Sequence, residues 1–170
     1  MKLIISGRSG SGKSTLINDI IKKLNTPVYG FITKKYDVQS GTCPVYIHAL
    51  TKPLSFSEAN RIGSCRDQKP EKRPFIFDSY GVYTLKDIPE GALVIMDELG
   101  VMEEEAKRFK KRVFEVMNGK YNVIAAVRDK HTLFLDEIRA VKNAEIVNIS
   151  ENNRTAAAKR AYAIINKAYK

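Results

Sequence analysis

Residues 7–15 read Gly-Arg-Ser-Gly-Ser-Gly-Lys-Ser-Thr, entered from the apolar run Lys2–Ser6 and left through apolar residues at helical spacing, Leu16, Ile17, Ile20, Ile21 and Leu24. A strand, a glycine-rich turn and a helix in this order tightly constrain a fold, because the turn must bring successive backbone N–H groups to one point. Gly7, Gly10 and Gly12 let the backbone curl without a Cβ in the way, and a helix starting near Lys13 adds its positive end there. The spacing is G-x-x-x-x-G-K-[ST], the loop that cradles phosphates. Gly7, Arg8, Ser9, Gly10, Ser11, Gly12, Lys13, Ser14 and Thr15 are therefore the expected nucleotide-binding residues. Lys13 is expected to reach the β- and γ-phosphates and to serve catalysis, and the Ser14 hydroxyl to ligate Mg²⁺. A nucleoside triphosphate is the expected ligand.

The rest of the chain alternates strands with helices. Strands are expected at Val28–Thr33, Val45–Ala49, Ala92–Met96, Val123–Val127 and Glu145–Ile149. Helices are expected at Lys13–Leu24, Glu103–Met117, Thr132–Ala140 and Arg154–Ala168. Val45–Ala49 follows a Ser40-Gly41 turn, which suggests a small antiparallel excursion. Residues Thr51–Pro74 read as a long irregular segment, and Phe75-Ile76-Phe77 as a short strand. Glu103, Glu104 and Glu105 read as an acidic first helical turn, complementing the helix dipole, and Asn118-Gly119 as the stop. The order predicts an α/β, three-layer fold: a mostly parallel sheet with helices on both faces, in one domain over residues 1–170.

The buried run Ala92–Met96 ends in Asp97-Glu98. Open sheets bind ligands at the carboxyl ends of their strands, so Asp97 is expected beside the phosphate loop, holding Mg²⁺ with Ser14. Strand alternation turns Glu98 to the other side of Asp97, where it can polarise an attacking water as general base. Charge on the transferring group needs a further cation. Arg128, at a strand's carboxyl end, is the expected catalytic arginine, with Arg8 a second candidate. Arg154 is expected to pack on the base. His48 and His131 read as structural or surface residues.

The 170 residues carry a net charge of +10, an attractive field for polyanions, which leaves nucleic acid open as a partner. The basic stretch Arg61, Arg66, Lys69, Lys72 and Arg73 lacks the interleaved aromatics that stack on single strands. No apolar stretch approaches a membrane span, and the first apolar run reads as a core strand rather than a secretory signal. Cys43 and Cys65 fit no metal spacing and no disulfide framework, which points to a reducing compartment, the cytoplasm.

A family resemblance rests on four stretches: Gly7–Thr15, Val28–Thr33, Met96-Asp97-Glu98-Leu99-Gly100-Val101-Met102-Glu103, and Val147–Arg154 with its terminal Asn153-Arg154. Together they resemble the small nucleoside-triphosphatases of the THEP type over most of the chain. The resemblance implies a RecA-like fold, with an extra strand between the two motif strands, and slow Mg²⁺-dependent hydrolysis of several nucleoside triphosphates to diphosphates. Val101 stands where that family tends to carry lysine, and the strand Val123–Val127 lacks a polar sensor residue. Two other readings use the same loop. One is a small-molecule or nucleotide kinase with residues 37–85 forming the acceptor site. The other is a nucleotide-switched module binding RNA, DNA or protein. Base preference and oligomeric state are not written in these motifs.

Overall fold

The computed structural model describes residues 1–36, 43–65 and 71–169. Asp37, the Ser40-Gly41 turn, Arg66 and Lys69, on which expectations above rest, lie outside the described residues. The chain runs β1 (Lys2–Gly7), α1 (Lys13–Leu24), β2 (Val28–Lys35), β3 (Pro44–Ala49), β4 (Arg61–Ser64), α2 (Pro74–Ile76), a π turn (Phe77–Gly81) and α3 (Val82–Thr84). It continues through β5 (Leu93–Leu99), α4 (Lys107–Asn118), β6 (Asn122–Arg128), α5 (Leu133–Arg139), β7 (Ala144–Asn148) and α6 (Arg154–Ala168).

Alternation along β1 sets the layers. Leu3 and Ile5 face one side of the sheet and Ile4 the other, all fully buried. On the Leu3 side, α1 contributes Leu16, Ile17 and Ile20, and α6 contributes Ala157, Ala161, Ile164 and Ile165. On the Ile4 side, α4 contributes Phe109, Val113, Val116 and Met117, and α5 contributes Phe134, Leu135 and Ile138. Helices therefore cover both faces, as the near-continuous apolar strands require.

The strand order is β4-β3-β2-β5-β6-β1-β7. β2, β5, β6, β1 and β7 run parallel, while β3 and β4 fold back antiparallel beyond β2. β6 stands between β1, which feeds the glycine-rich loop, and β5, which ends in the two acids: the inserted strand of a RecA-like sheet. The Asp97–Glu98 peptide is cis. Among the described residues no helix is long and apolar enough to cross a membrane.

Three local expectations are corrected. Residues 75–77 are helical rather than extended: Pro74 occupies the first helical turn, and the π turn beyond it seats Phe77 against Phe109 with ring centroids 5.1 Å apart. The segment 51–74 holds a strand, β4, with Gly63 inside it. A Cβ there would lie 2.1 Å from Glu71 O and 2.6 Å from Met102 Cε, so only glycine fits, and the strand loses its apolar signature. The helix expected from Glu103 begins at Lys107, with no acid in its first turn, because Glu103 is committed to the turn before it.

Gly30, inside β2, has φ +96°, and a Cβ there would stand 2.1 Å from Ile95 O of the neighbouring strand. Gly30→Ala is expected to cost about 3 kcal/mol, through strain and a forced separation of β2 from β5. A urea midpoint within error of the native value would show that the ladder absorbs the methyl group.

Candidate functional site

The glycine-rich loop leaves β1 at Gly7, where a Cβ would lie 2.4 Å from Ile149 O, and enters α1 through Gly12 at φ +107°. This backbone turns the Lys13 side chain back under the loop. Its Nζ, on a residue only 3% exposed, donates to Gly7 O at 2.7 Å and Arg8 O at 2.8 Å, and pairs with Glu98 Oε2 at 3.1 Å. Ser14 Oγ donates to Asp97 Oδ1 at 2.9 Å. Ser11 Oγ is buried within the loop with no protein partner among the described residues.

Both acids at the end of β5 thus meet the loop. Simple alternation would have separated them, but the β5–β6 register shifts between Met96 and Leu99, with one more residue on β5 than on β6. Asp97 faces Ser14 and Glu98 faces Lys13. Burial pushes the Asp97 carboxyl up to about 6, against the Ser14 hydrogen bond, with the neighbouring Glu98 charge adding to the rise.

Glu98 is held from three sides. Its N–H donates to Thr33 Oγ1 at 3.2 Å. Arg128, at the end of β6, donates to Oε1 from Nε at 2.8 Å and from Nη2 at 2.7 Å, while Lys13 meets Oε2. Arg128 is therefore brought to the site, bound edge-on to the carboxylate. Arg154 is placed differently: Nε donates to Ser11 O at 3.0 Å and Nη2 to Gly10 O at 3.2 Å, so it braces the loop's backbone. Arg8 is exposed on the opposite side of the loop, away from Glu98.

Two participants carry little signal in the sequence. Thr33 shows nothing there beyond its place on a strand. Glu103 belongs to the Asp97–Glu103 stretch of the resemblance, yet its spacing suggests helix surface. It is 2% exposed, and its Oε1 accepts from Gly100 N–H, closing the turn that follows β5. Burial pushes its carboxyl up to about 7, opposed by the Gly100 bond and raised further by Glu98. The folded chain thus keeps a proton that the unfolded chain, with an ordinary value near 4.5, has already released. Stability is lost as pH rises through the window between about 4.5 and 7, by roughly 3 kcal/mol in all. Glu103→Gln keeps the acceptor and is expected to flatten this window and raise the urea midpoint at about pH 8. An unchanged pH dependence would place the proton elsewhere.

The donor set suits a small hard cation. Ser14 and Asp97 offer two oxygens, and among the described residues no three Asp, Glu, His or Cys side chains come together so as to hold a metal ion by themselves. Mg²⁺ is bound in this way, by few protein oxygens completed by phosphates and water.

Two cavities flank the loop. One, of about 510 Å³, runs from Gly12–Thr15 past Asp97, Glu98 and Arg128 and on over the antiparallel strands. The other, of about 710 Å³, lies on the opposite side, among Arg8, Asp129, Asn148 and Ser150 to Asn153. Within the basic stretch, Arg61 and Arg73 share Glu58 and Glu71. His48 is buried and His131 exposed beside Asp136. Cys43 is buried and Cys65 exposed.

Comparison with known proteins points to one family. A family model described as NTPase matches residues 2–162. A protein named nucleoside-triphosphatase THEP1 from Thermotoga maritima is 27% identical over 168 residues, covering 92% of this chain and 90% of that protein. One of the same name from Metallosphaera sedula is 31% identical over 142 residues, covering 75% of this chain and 71% of its own. The crystal structure of THEP1 from Aquifex aeolicus matches with a TM-score of 0.72 over 96% of this chain and 98% of that one. At 23% identity it speaks for the fold alone.

Proposed function

This chain belongs to the NTPase family, and we propose that it hydrolyses nucleoside triphosphates to diphosphate and phosphate, slowly and with broad base tolerance. The observation that carries this is the Glu98 carboxylate, placed between Lys13 and Arg128 at the mouth of the phosphate loop. The loop's N–H groups and Lys13 receive the β- and γ-phosphates. When Lys13 turns to phosphate oxygens, Oε2 of Glu98 loses a cation and becomes free to accept a proton from water. The water oxygen bonds to the γ-phosphorus, its proton passes to Glu98, and the bond from the γ-phosphorus to the β–γ bridging oxygen breaks. Mg²⁺, held by Ser14 and Asp97, would neutralise charge on the phosphate oxygens. Asp97 is fit to hold a cation above about pH 6, where it is ionised.

Arg128 carries two tasks in this reading, orienting Glu98 and offering its remaining N–H groups to the γ-phosphate. The base lies in the cavity beside Asp129 and Asn148, whose short polar and backbone groups select no single ring. We place the protein, a single domain, in the cytoplasm, in keeping with two cysteines whose spacing fits no disulfide framework. The test is phosphate release from ATP, GTP, CTP and UTP with added Mg²⁺. All four are expected to react within about tenfold of one another, and chelation with EDTA to stop release. Release from none of them would defeat the reading, and release from one alone would defeat the broad tolerance.

A further inference from the structure

Hydrolysis needs room for the γ-phosphate, its cation and one water, yet the cavity at Glu98, about 510 Å³, runs well past the phosphate loop. Its far half is built by the antiparallel excursion. Lys35 stands opposite Val45, Val45 opposite Gly63, and Gly63 opposite Lys72. Residues directly opposite share a face of the sheet, so one row puts a lysine at either end, with Val45 and Gly63 between them. Both lysines line the cavity, and among the described residues neither meets a carboxylate, unlike Arg61 and Arg73 nearby. Met102 reaches across Gly63, and Ile62 and Phe77 complete an apolar wall.

Thr33, which accepts from the Glu98 N–H, lies two residues before Lys35 on the same strand face. Two residues of strand span about 7 Å, a distance that a lysine stem covers. The two ammonium groups can therefore hold an anion beside the point where the γ-phosphate must lie, with a flat apolar body behind it on Val45 and Met102. A dianionic phosphate attached to a planar ring meets both demands.

We propose that this half of the cavity binds a nucleoside monophosphate as a phosphoryl acceptor, so that the chain transfers the γ-phosphoryl group as well as hydrolysing it. The proposal rests on the triphosphate occupying the loop as described above. An oxygen of the acceptor's phosphate bonds to the γ-phosphorus, and the bond from that phosphorus to the β–γ bridging oxygen breaks. One triphosphate and one monophosphate give two diphosphates, with no proton gained or lost. The acceptor displaces the water that Glu98 would otherwise activate, so transfer and hydrolysis compete for one γ-phosphate.

The test uses the full chain with γ-labelled ATP, Mg²⁺ and AMP, GMP, CMP or UMP at millimolar concentration, with products separated by chromatography. Label is expected in a nucleoside diphosphate with at least one of the four, saturably, while release of labelled phosphate falls. Lys35→Ala and Lys72→Ala sit on exposed positions, and thermal melting checks that they fold. Each is expected to raise the KM for the monophosphate about tenfold and to lower the ratio of transfer to hydrolysis. Labelled phosphate without labelled diphosphate in any mixture overturns the proposal and leaves the hydrolase reading standing. Absence of both products overturns the nucleotide reading first and the acceptor with it. Transfer with an unchanged KM in both lysine variants removes the acceptor from this half of the cavity.

Discussion

Glu98→Gln is expected to bind nucleoside triphosphate as tightly as the native chain and to release phosphate about 10²–10⁴-fold more slowly. Lys13→Ala, in contrast, is expected to lose the triphosphate itself. The amide introduced by Glu98→Gln keeps one oxygen to accept from Arg128, and its NH2 group stands where Oε2 meets Lys13, which turns to the phosphates when nucleotide binds; it cannot take a proton from water. Lys13 is a different case. Its Nζ meets Gly7 O, Arg8 O and Glu98, and its removal leaves two loop carbonyls without that donor and the phosphates without their buried cation. Equilibrium binding of a fluorescent triphosphate analogue, measured beside single-turnover release, separates the two effects. Undiminished release by Glu98→Gln would remove Glu98 as the base. Tight binding by Lys13→Ala would move the triphosphate out of the loop.

The parts of this site legible in the sequence are those that backbone geometry dictates. Only glycine suits Gly7 and Gly12, the first against Ile149 O and the second at positive φ, so the loop announces itself. The buried parallel strands read as unbroken apolar runs, and their helices as stripes. Periodicity fails where the chain departs from periodic structure. The register shift after Met96 brings Asp97 and Glu98 to one side, although alternation separates them. The strand β4 is short and interrupted by glycine, and the π turn at Phe77 keeps neither a strand's nor an α-helix's spacing. Glu103 is hidden for a different reason. Three consecutive glutamates look like solvated helix surface, and nothing in their composition marks the one that closes the turn on Gly100. The far half of the cavity at Glu98 is equally hidden, because its row of Lys35, Val45, Gly63 and Lys72 comes from four separate segments.

Arg128→Ala is expected to slow phosphate release by about 10³-fold, the scale of a cation lost from a transferring phosphoryl group. Combined with Glu98→Gln, it is expected to cost far less than the product of the two single losses. Both Nε and Nη2 of Arg128 lie on one oxygen of Glu98, at 2.8 and 2.7 Å, so each residue sets the position in which the other works. Residues sharing one ion pair are not additive, and the cycle of single and double variants measures their coupling directly. Arg128→Lys should rescue little. One ammonium cannot keep two bonds to Glu98 while also presenting N–H groups to the γ-phosphate, as the planar fork of arginine can. A double variant whose loss equals the product would mean that Arg128 and Glu98 act separately, with their contact in the unliganded protein incidental to turnover. A sub-multiplicative loss would mean that the arginine reaches the phosphate only as part of the pair that holds the base.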